Sequence, residues 1–115
     1  MRMADRRNVY AEKLDRIHAS IVALEDGTST SQVQDGVTYT AATDSLAALY
    51  RLRDRMAVKA AIQAIEEGAQ VYTVLGRQFT KGNLRELYDR DRELTQAAVR
   101  ESRGGMRART GVLLG

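Results

Sequence analysis

The sequence predicts an α+β, mostly helical fold in which tandem helix–β-hairpin–helix units share a long middle helix. An amphipathic period marks the first helix, and a turn signal marks a hairpin after it. The main observation is an internal repeat whose three segments recur in the same order. They lie at residues 23–27 and 64–68, 39–40 and 79–80, and 46–50 and 84–88. The offset changes from 41 to 40 and then 38 only within predicted loops, where a duplicated unit tolerates insertions.

The first helix is predicted over residues 5–26. Its apolar residues recur at spacings of 4, 3, 4 and 3, which is typical of one stripe on an amphipathic helix: Tyr10, Leu14, Ile17, Ile21 and Leu24. Gly27 is expected to end it, because glycine adopts the left-handed conformation without strain. His18 is the only histidine in a chain without cysteine, so we interpret it as structural.

Asp35 and Gly36 predict the first hairpin, since Asp-Gly is the preferred pair for a type I′ turn. The returning strand alternates, so Val37 and Tyr39 share one face and are expected to pack inward. A two-stranded hairpin is not stable alone, and each must therefore lie on a helix or on another subunit.

The second hairpin is predicted from the repeat. If residues 75–76 form its turn, Tyr72 faces Phe79 and Val74 faces Arg77 on the same side of the ribbon.

The middle helix is predicted to begin after the N-cap candidates at residues 43–45 and to continue to Glu67 before Gly68. It would contain about 24 residues and span ~36 Å. The sequence leaves open whether it breaks near residues 57–58.

The third helix is predicted to start near Gly82 with Asn83 as its cap and to end near Ser102, with glycines at 104–105 terminating it. We therefore predict a single compact domain over residues 1–103, made of fused units at about 5–57 and 58–103. Residues 104–115 are predicted to form an extended basic tail.

Superposing the second and third helices places Arg53 opposite Asp91, a charge in each copy at a position whose spacing is otherwise apolar. Two interpretations stay open: both side chains are solvated, or they pair within the chain or across a subunit interface.

Charge is distributed unevenly along the chain. Residues 1–99 carry 14 basic and 14 acidic residues, whereas residues 100–115 carry four arginines and one glutamate. A general nucleic-acid binder more often spreads basic residues over a folded face. No apolar run reaches the ~18 residues of a membrane span, and no signal peptide is visible, so a cytosolic origin is the default.

The residues offer little for catalysis. The carboxylates are scattered among basic residues at helical spacing, no glycine-rich phosphate loop occurs, and no acidic spacing matches a metal loop. We predict that the chain is not an enzyme and that it has no catalytic, cofactor or metal site.

Three stretches carry a resemblance. Residues 33–41 read Val-Gln-Asp-Gly-Val-Thr-Tyr-Thr-Ala before a Thr-Asp-Ser-Leu helix start at 43–46. Residues 72–84 read Tyr-Thr-Val-Leu-Gly-Arg-Gln-Phe-Thr-Lys-Gly-Asn-Leu, and residues 104–109 read Gly-Gly-Met-Arg-Ala-Arg. In order and spacing the chain resembles the W-type (gpW-like) head–tail joining proteins of tailed phages. Family members typically have one such unit, whereas this chain has two.

The resemblance implies a structural virion protein: a connector (adaptor) subunit that binds the portal and joins the DNA-filled capsid to the next neck or tail protein. It implies self-assembly into a ring, usually a dodecamer, at the head–tail junction of a virion assembled in the host cytoplasm. On this hypothesis the hairpin residues pack onto the helices: Val37, Tyr39, Tyr72, Val74 and Phe79. The tail would contact partner proteins or channel DNA through Arg103, Met106, Arg107, Arg109, Val112, Leu113 and Leu114.

Two alternatives stay open. One is a small DNA-binding or DNA-packaging accessory protein that acts through its basic tail, which a steep salt dependence of DNA affinity would indicate. The other is a generic helical oligomerisation module, which a stable closed dimer without rings would indicate.

Overall fold

The computed structural model describes residues 7–114, and it describes side chains for residues 7–101. The elements in chain order are α1 (Val9–Glu25), β1 (Ser31–Gln34), β2 (Val37–Thr40), α2 (Thr43–Glu66), β3 (Val71–Val74), β4 (Arg77–Thr80), a 3₁₀ turn (Lys81–Asn83) and α3 (Leu84–Leu114). Helix–hairpin–helix therefore occurs twice, with α2 common to both occurrences. This confirms the predicted α+β, mostly helical fold.

Helix α1 begins later than predicted because Asn8 caps it. The Asn8 side chain accepts a hydrogen bond from the Ala11 backbone N–H at 3.0 Å. Its Nδ2 also donates to the Ala60 carbonyl at 2.9 Å, so the cap ties the start of α1 to the middle of α2. At the other end, Gly27 has a φ of +80° and ends the helix as predicted.

Both hairpins turn through residue pairs with positive φ. Asp35 and Gly36 have φ values of +52° and +78°, and Leu75 and Gly76 have +51° and +75°. These values are those of type I′ turns, whose twist matches that of the flanking strands. In the second hairpin the register pairs residue 72 with 79 and residue 74 with 77, as predicted.

Helix α2 is continuous over 24 residues, so it has no break near residues 57–58. The predicted N-cap residues lie inside the helix rather than before it, and the N-cap is Ala42, which makes no side-chain capping bond. Ser45 has another role, because its Oγ accepts a hydrogen bond from the Thr40 backbone N–H at 2.8 Å. That bond ties the first turn of α2 to the end of β2.

Helix α3 differs most from the prediction. It contains 31 residues and runs through Gly104 and Gly105 to Leu114. The predicted end near Ser102 is therefore wrong, and residues 104–114 are helical rather than extended. A glycine in a helix interior costs only about 1 kcal/mol relative to alanine, and arginine, methionine and alanine around this pair favour the helix.

The apolar core consists of two clusters along α2. The first combines α1 with one hairpin residue from each unit and the first half of α2: Leu14, Ile17, Ile21, Leu24, Tyr39, Leu49, Met56, Ala57 and Val74. The second combines the other half of α2 with α3: Val58, Ala61, Ile62, Ile65 and Leu87. The cluster residues of α2 up to Ala57 belong to the first cluster, and those from Val58 onward belong to the second. One continuous helix therefore contributes to both cores.

The repeat extends to polar contacts between helices. The Tyr50 hydroxyl donates to the Glu25 carboxylate, and the Tyr88 hydroxyl donates to the Glu66 carboxylate. In each unit this bond ties the second helix to the C-terminal end of the first. The pairs therefore mark equivalent positions in the two units.

Asp91 pairs with Lys59 rather than with Arg53. The Lys59 Nζ lies 2.9 Å from the Asp91 Oδ1, which joins α2 to α3. The Arg53 guanidinium instead lies over the Tyr50 ring, 4.7 Å from its centroid. An Arg53–Asp91 pair within the chain is therefore wrong, because Lys59 is the cation that α2 presents to this carboxylate.

Truncation of equivalent core residues tests the two-cluster packing. Leu49→Ala and Leu87→Ala each remove a side chain that is at most 2% exposed, one from each cluster. Each is expected to lower the free energy of unfolding by about 2–5 kcal/mol in urea denaturation, from lost burial and a residual cavity. Val33→Ala, at a 61% exposed position, is the control and is expected to change it by less than about 0.5 kcal/mol. Equal losses in all three variants would contradict this packing.

The tyrosine–glutamate bonds predict a loss of stability at alkaline pH. The bond to Glu25 raises the pKa of Tyr50, and the bond to Glu66 raises the pKa of Tyr88. The unfolded chain then loses these protons first, so the stability they give is complete below about pH 10 and falls as pH rises through the folded-state pKa values. The Tyr50→Phe, Tyr88→Phe double variant should show a shallower loss of unfolding free energy between about pH 9 and pH 11. Identical slopes for variant and wild type would contradict this linkage.

Candidate interaction site

The structure places most of the predicted hairpin-packing residues on the core. Tyr39 and Val74 are buried within the first cluster. Tyr72 and Phe79 are half-buried and pack against both clusters. Both hairpins therefore lie across the helices rather than projecting away from them.

Val37 is the exception, because it is 50% exposed and belongs to neither cluster. Its cross-strand partner is Gln34, whose Nε2 donates to the Ser20 Oγ at 2.8 Å. Ser20 is 2% exposed, and its hydroxyl donates to the Gln32 Oε1 at 3.1 Å. The prediction that Val37 packs inward is wrong because polar bonds, rather than apolar contacts, attach this end of the first hairpin to α1.

Burial also affects the hairpin phenols. It raises the pKa of Tyr39, with a further contribution from Asp35, and it raises the pKa of Tyr72, with a further contribution from Asp15. Both phenols therefore stay protonated at neutral pH, which is consistent with a packing role.

A groove opens in the second unit between β4 and the first turns of α3, with a volume of about 530 Å³. We call it the α3 groove. Its apolar lining comes from Val58, Phe79 and Leu87. Its charged lining comes from Arg77, Glu86, Asp89, Arg90 and Glu93.

The first unit provides an internal comparison for this groove. At the positions 38 residues before Glu86 and Arg90 stand Ala48 and Leu52, which pack against the first core cluster. Strand β2 lies against α2, whereas β4 approaches α3 mainly through the 3₁₀ turn. At these two positions the first unit therefore has apolar residues packed on its core, whereas the second unit has exposed charges.

Exposed apolar residues lie on the hairpins. Val33 is 61% exposed on the first, and Val71 is 46% exposed on the second. Leu75 occupies the tip of the second hairpin, where it is 44% exposed and has a φ of +51°. A leucine that is partly exposed and in the left-handed region carries backbone strain, and strained residues and exposed apolar residues are common at sites of contact with a partner.

The predicted partner-binding side chains of the C-terminal segment lie outside the described part of the chain. They are Arg103, Met106, Arg107, Arg109, Val112, Leu113 and Leu114. Their backbone belongs to α3.

Within residues 7–101, no group of three or more histidine, cysteine, aspartate or glutamate side chains is arranged to hold a metal ion. No helix in the described part of the chain combines the length and apolarity needed to cross a membrane.

Reasoning from the sequence missed the α3 groove. Its signal was present in the repeat, because Ala48 aligns with Glu86 and Leu52 aligns with Arg90. An exchange of an apolar for a charged residue at equivalent positions indicates that these positions have different surroundings in the two units.

Leu75 tests whether the hairpin tip is strained. Leu75→Asn should raise the free energy of unfolding by about 1 kcal/mol in urea denaturation, because asparagine tolerates the left-handed conformation and leucine does not. Thr73→Asn, at an exposed strand position, is the matched control and should give no gain. An unchanged or lower stability for the Leu75 variant would contradict the assignment of strain.

No family model matches the chain, and neither the curated proteins nor the solved structures contain a significant match to it.

Proposed function

We propose that this chain is a head–tail connector subunit of a tailed phage. It would form a ring that binds the portal and joins the DNA-filled capsid to the next neck or tail protein. The observation that carries the proposal is the double occurrence of one unit: a helix, a hairpin with a type I′ turn, and a second helix. This is the element order expected of the W-type joining proteins that the sequence resembles.

The surface of the chain supports a role in assembly. The hairpins present exposed valines and the strained Leu75, and the α3 groove presents charges beside an apolar lining. A connector needs surfaces for its neighbours in the ring and for proteins on each side of it. Exposed apolar residues rimmed by charge are the usual chemistry of such contacts.

A DNA-binding accessory protein is the second candidate. It is favoured by the charge of residues 100–115, which carry four arginines and one glutamate. Residues 1–99 are neutral, which favours the connector. DNA affinity that falls steeply with salt, and that is lost when residues 103–115 are deleted, would select this second function.

Disruption of the gene in its phage tests the connector proposal. Electron microscopy of the lysate should show DNA-filled or leaking heads beside separate, complete tails, because only the junction would be missing. Wild-type phage in a parallel lysate is the control.

Two other results would contradict it. Empty, unpackaged shells would indicate the packaging role, and intact infectious particles would show that the junction does not need this chain.

A further inference from the structure

We propose that the α3 groove receives the C-terminal segment, residues 103–114, of a second copy of this chain. The inference deepens the proposed function, since it rests on a ring of identical subunits and names the contact between neighbours. It starts from the comparison of the two units. Where Glu86 and Arg90 line the groove in the second unit, the first unit has Ala48 and Leu52, which pack against the first core cluster.

The groove combines an apolar lining with an excess of acid. Glu86, Asp89 and Glu93 outnumber Arg77 and Arg90 along it. The Arg77 guanidinium lies 5.1 Å from the centroid of the Phe79 ring. An occupant that suits the groove therefore carries positive charge together with aliphatic side chains.

The C-terminal segment has this composition. It contains Arg103, Arg107 and Arg109 with no acidic residue, followed by Val-Leu-Leu at 112–114. Arginine can bind a carboxylate through two parallel hydrogen bonds, which gives such a contact direction as well as affinity. The aliphatic residues would cover the apolar lining left open in the second unit.

The segment of the same chain cannot reach this groove. The groove lies at the start of α3, and the helix then runs 31 residues to Leu114, a length of about 45 Å. The bond between Arg51 and Glu101, 2.7 Å from Nε to Oε1, shows that α3 passes along α2 toward the start of that helix. The donor must therefore be another molecule.

A contact of this kind is heterologous, since the groove of one copy takes the segment of the next. Repetition of a heterologous contact produces a closed ring when the rotation closes and an open filament when it does not. The proposed contact is therefore of the type that a connector ring requires.

Engineered cysteines test the contact in the full chain, which has no cysteine of its own. The test variant combines Gln78→Cys, at an exposed residue lining the groove, with Leu113→Cys. The matched control combines Thr38→Cys with Leu113→Cys, because Thr38 is the exposed residue 40 positions earlier on the first hairpin. Circular dichroism of both variants should show the helical content of the wild type.

The expected result after mild oxidation is a ladder of disulfide-linked oligomers from the test variant on a non-reducing gel. It should exceed the control by about tenfold, the population ratio that about 1.4 kcal/mol produces. A ladder that is absent, or equal in the two variants, would overturn the inference. So would an internal disulfide in a monomer.

Charge reversal provides a second measurement on the test variant. Glu86→Arg with Glu93→Arg should abolish the ladder, and so should Arg107→Glu with Arg109→Glu. Mixing these two chains should restore it, because each groove then meets a segment of opposite charge. Failure of the mixture to restore the ladder would also count against the contact.

Different results would contradict the groove contact and the connector role. Rings at the head–tail junction without cross-linking through Gln78 would overturn this contact and keep the connector. A ladder from a chain whose loss leaves virions intact would keep the contact and overturn the connector.

Discussion

The rest of the structure depends on one constraint, which is that α2 must pack into two cores at once. Leu49 and Met56 of α2 belong to the cluster with α1, and Ile62 and Ile65, further along the helix, belong to the cluster with α3. A unit of roughly 40 residues is near the lower limit for folding alone. Sharing a continuous helix lets each unit use apolar surface that the other holds in place. Ala60 is fully buried, and its carbonyl accepts a hydrogen bond from Asn8, the N-cap of α1. Its small side chain permits this close approach of the two helices.

This shared helix also explains why the two units are not equivalent. In the first unit, apolar residues of α1 and α2 pack into the first cluster, while valines of its hairpin are exposed. Leu52 packs on the first cluster, whereas Arg90, at the equivalent position of α3, is exposed. The two ends of this duplicated chain therefore present different surfaces. That polarity is what a head-to-tail assembly needs.

The sequence predicted the elements well where the chemistry was local. Asp35 and Gly36 defined a turn because few other residue pairs adopt positive φ twice in succession. Leu75 would not have indicated a turn by itself, and only the repeat did so. The predicted end of α3 was wrong because two glycines at 104–105 do not stop a helix when good helix formers surround them. The α3 groove could not be predicted from periodicity, since it depends on how β4 and α3 lie relative to each other.

The most direct test of this account is a reconstruction of the portal vertex of the virion by electron cryomicroscopy, at a resolution that traces helices. We expect a ring of this chain beneath the portal, with every subunit oriented the same way and the end of each α3 in contact with the second unit of its neighbour. A junction without this chain would contradict the proposed function. Subunits arranged face to face in closed pairs would contradict the polarity on which the assembly depends.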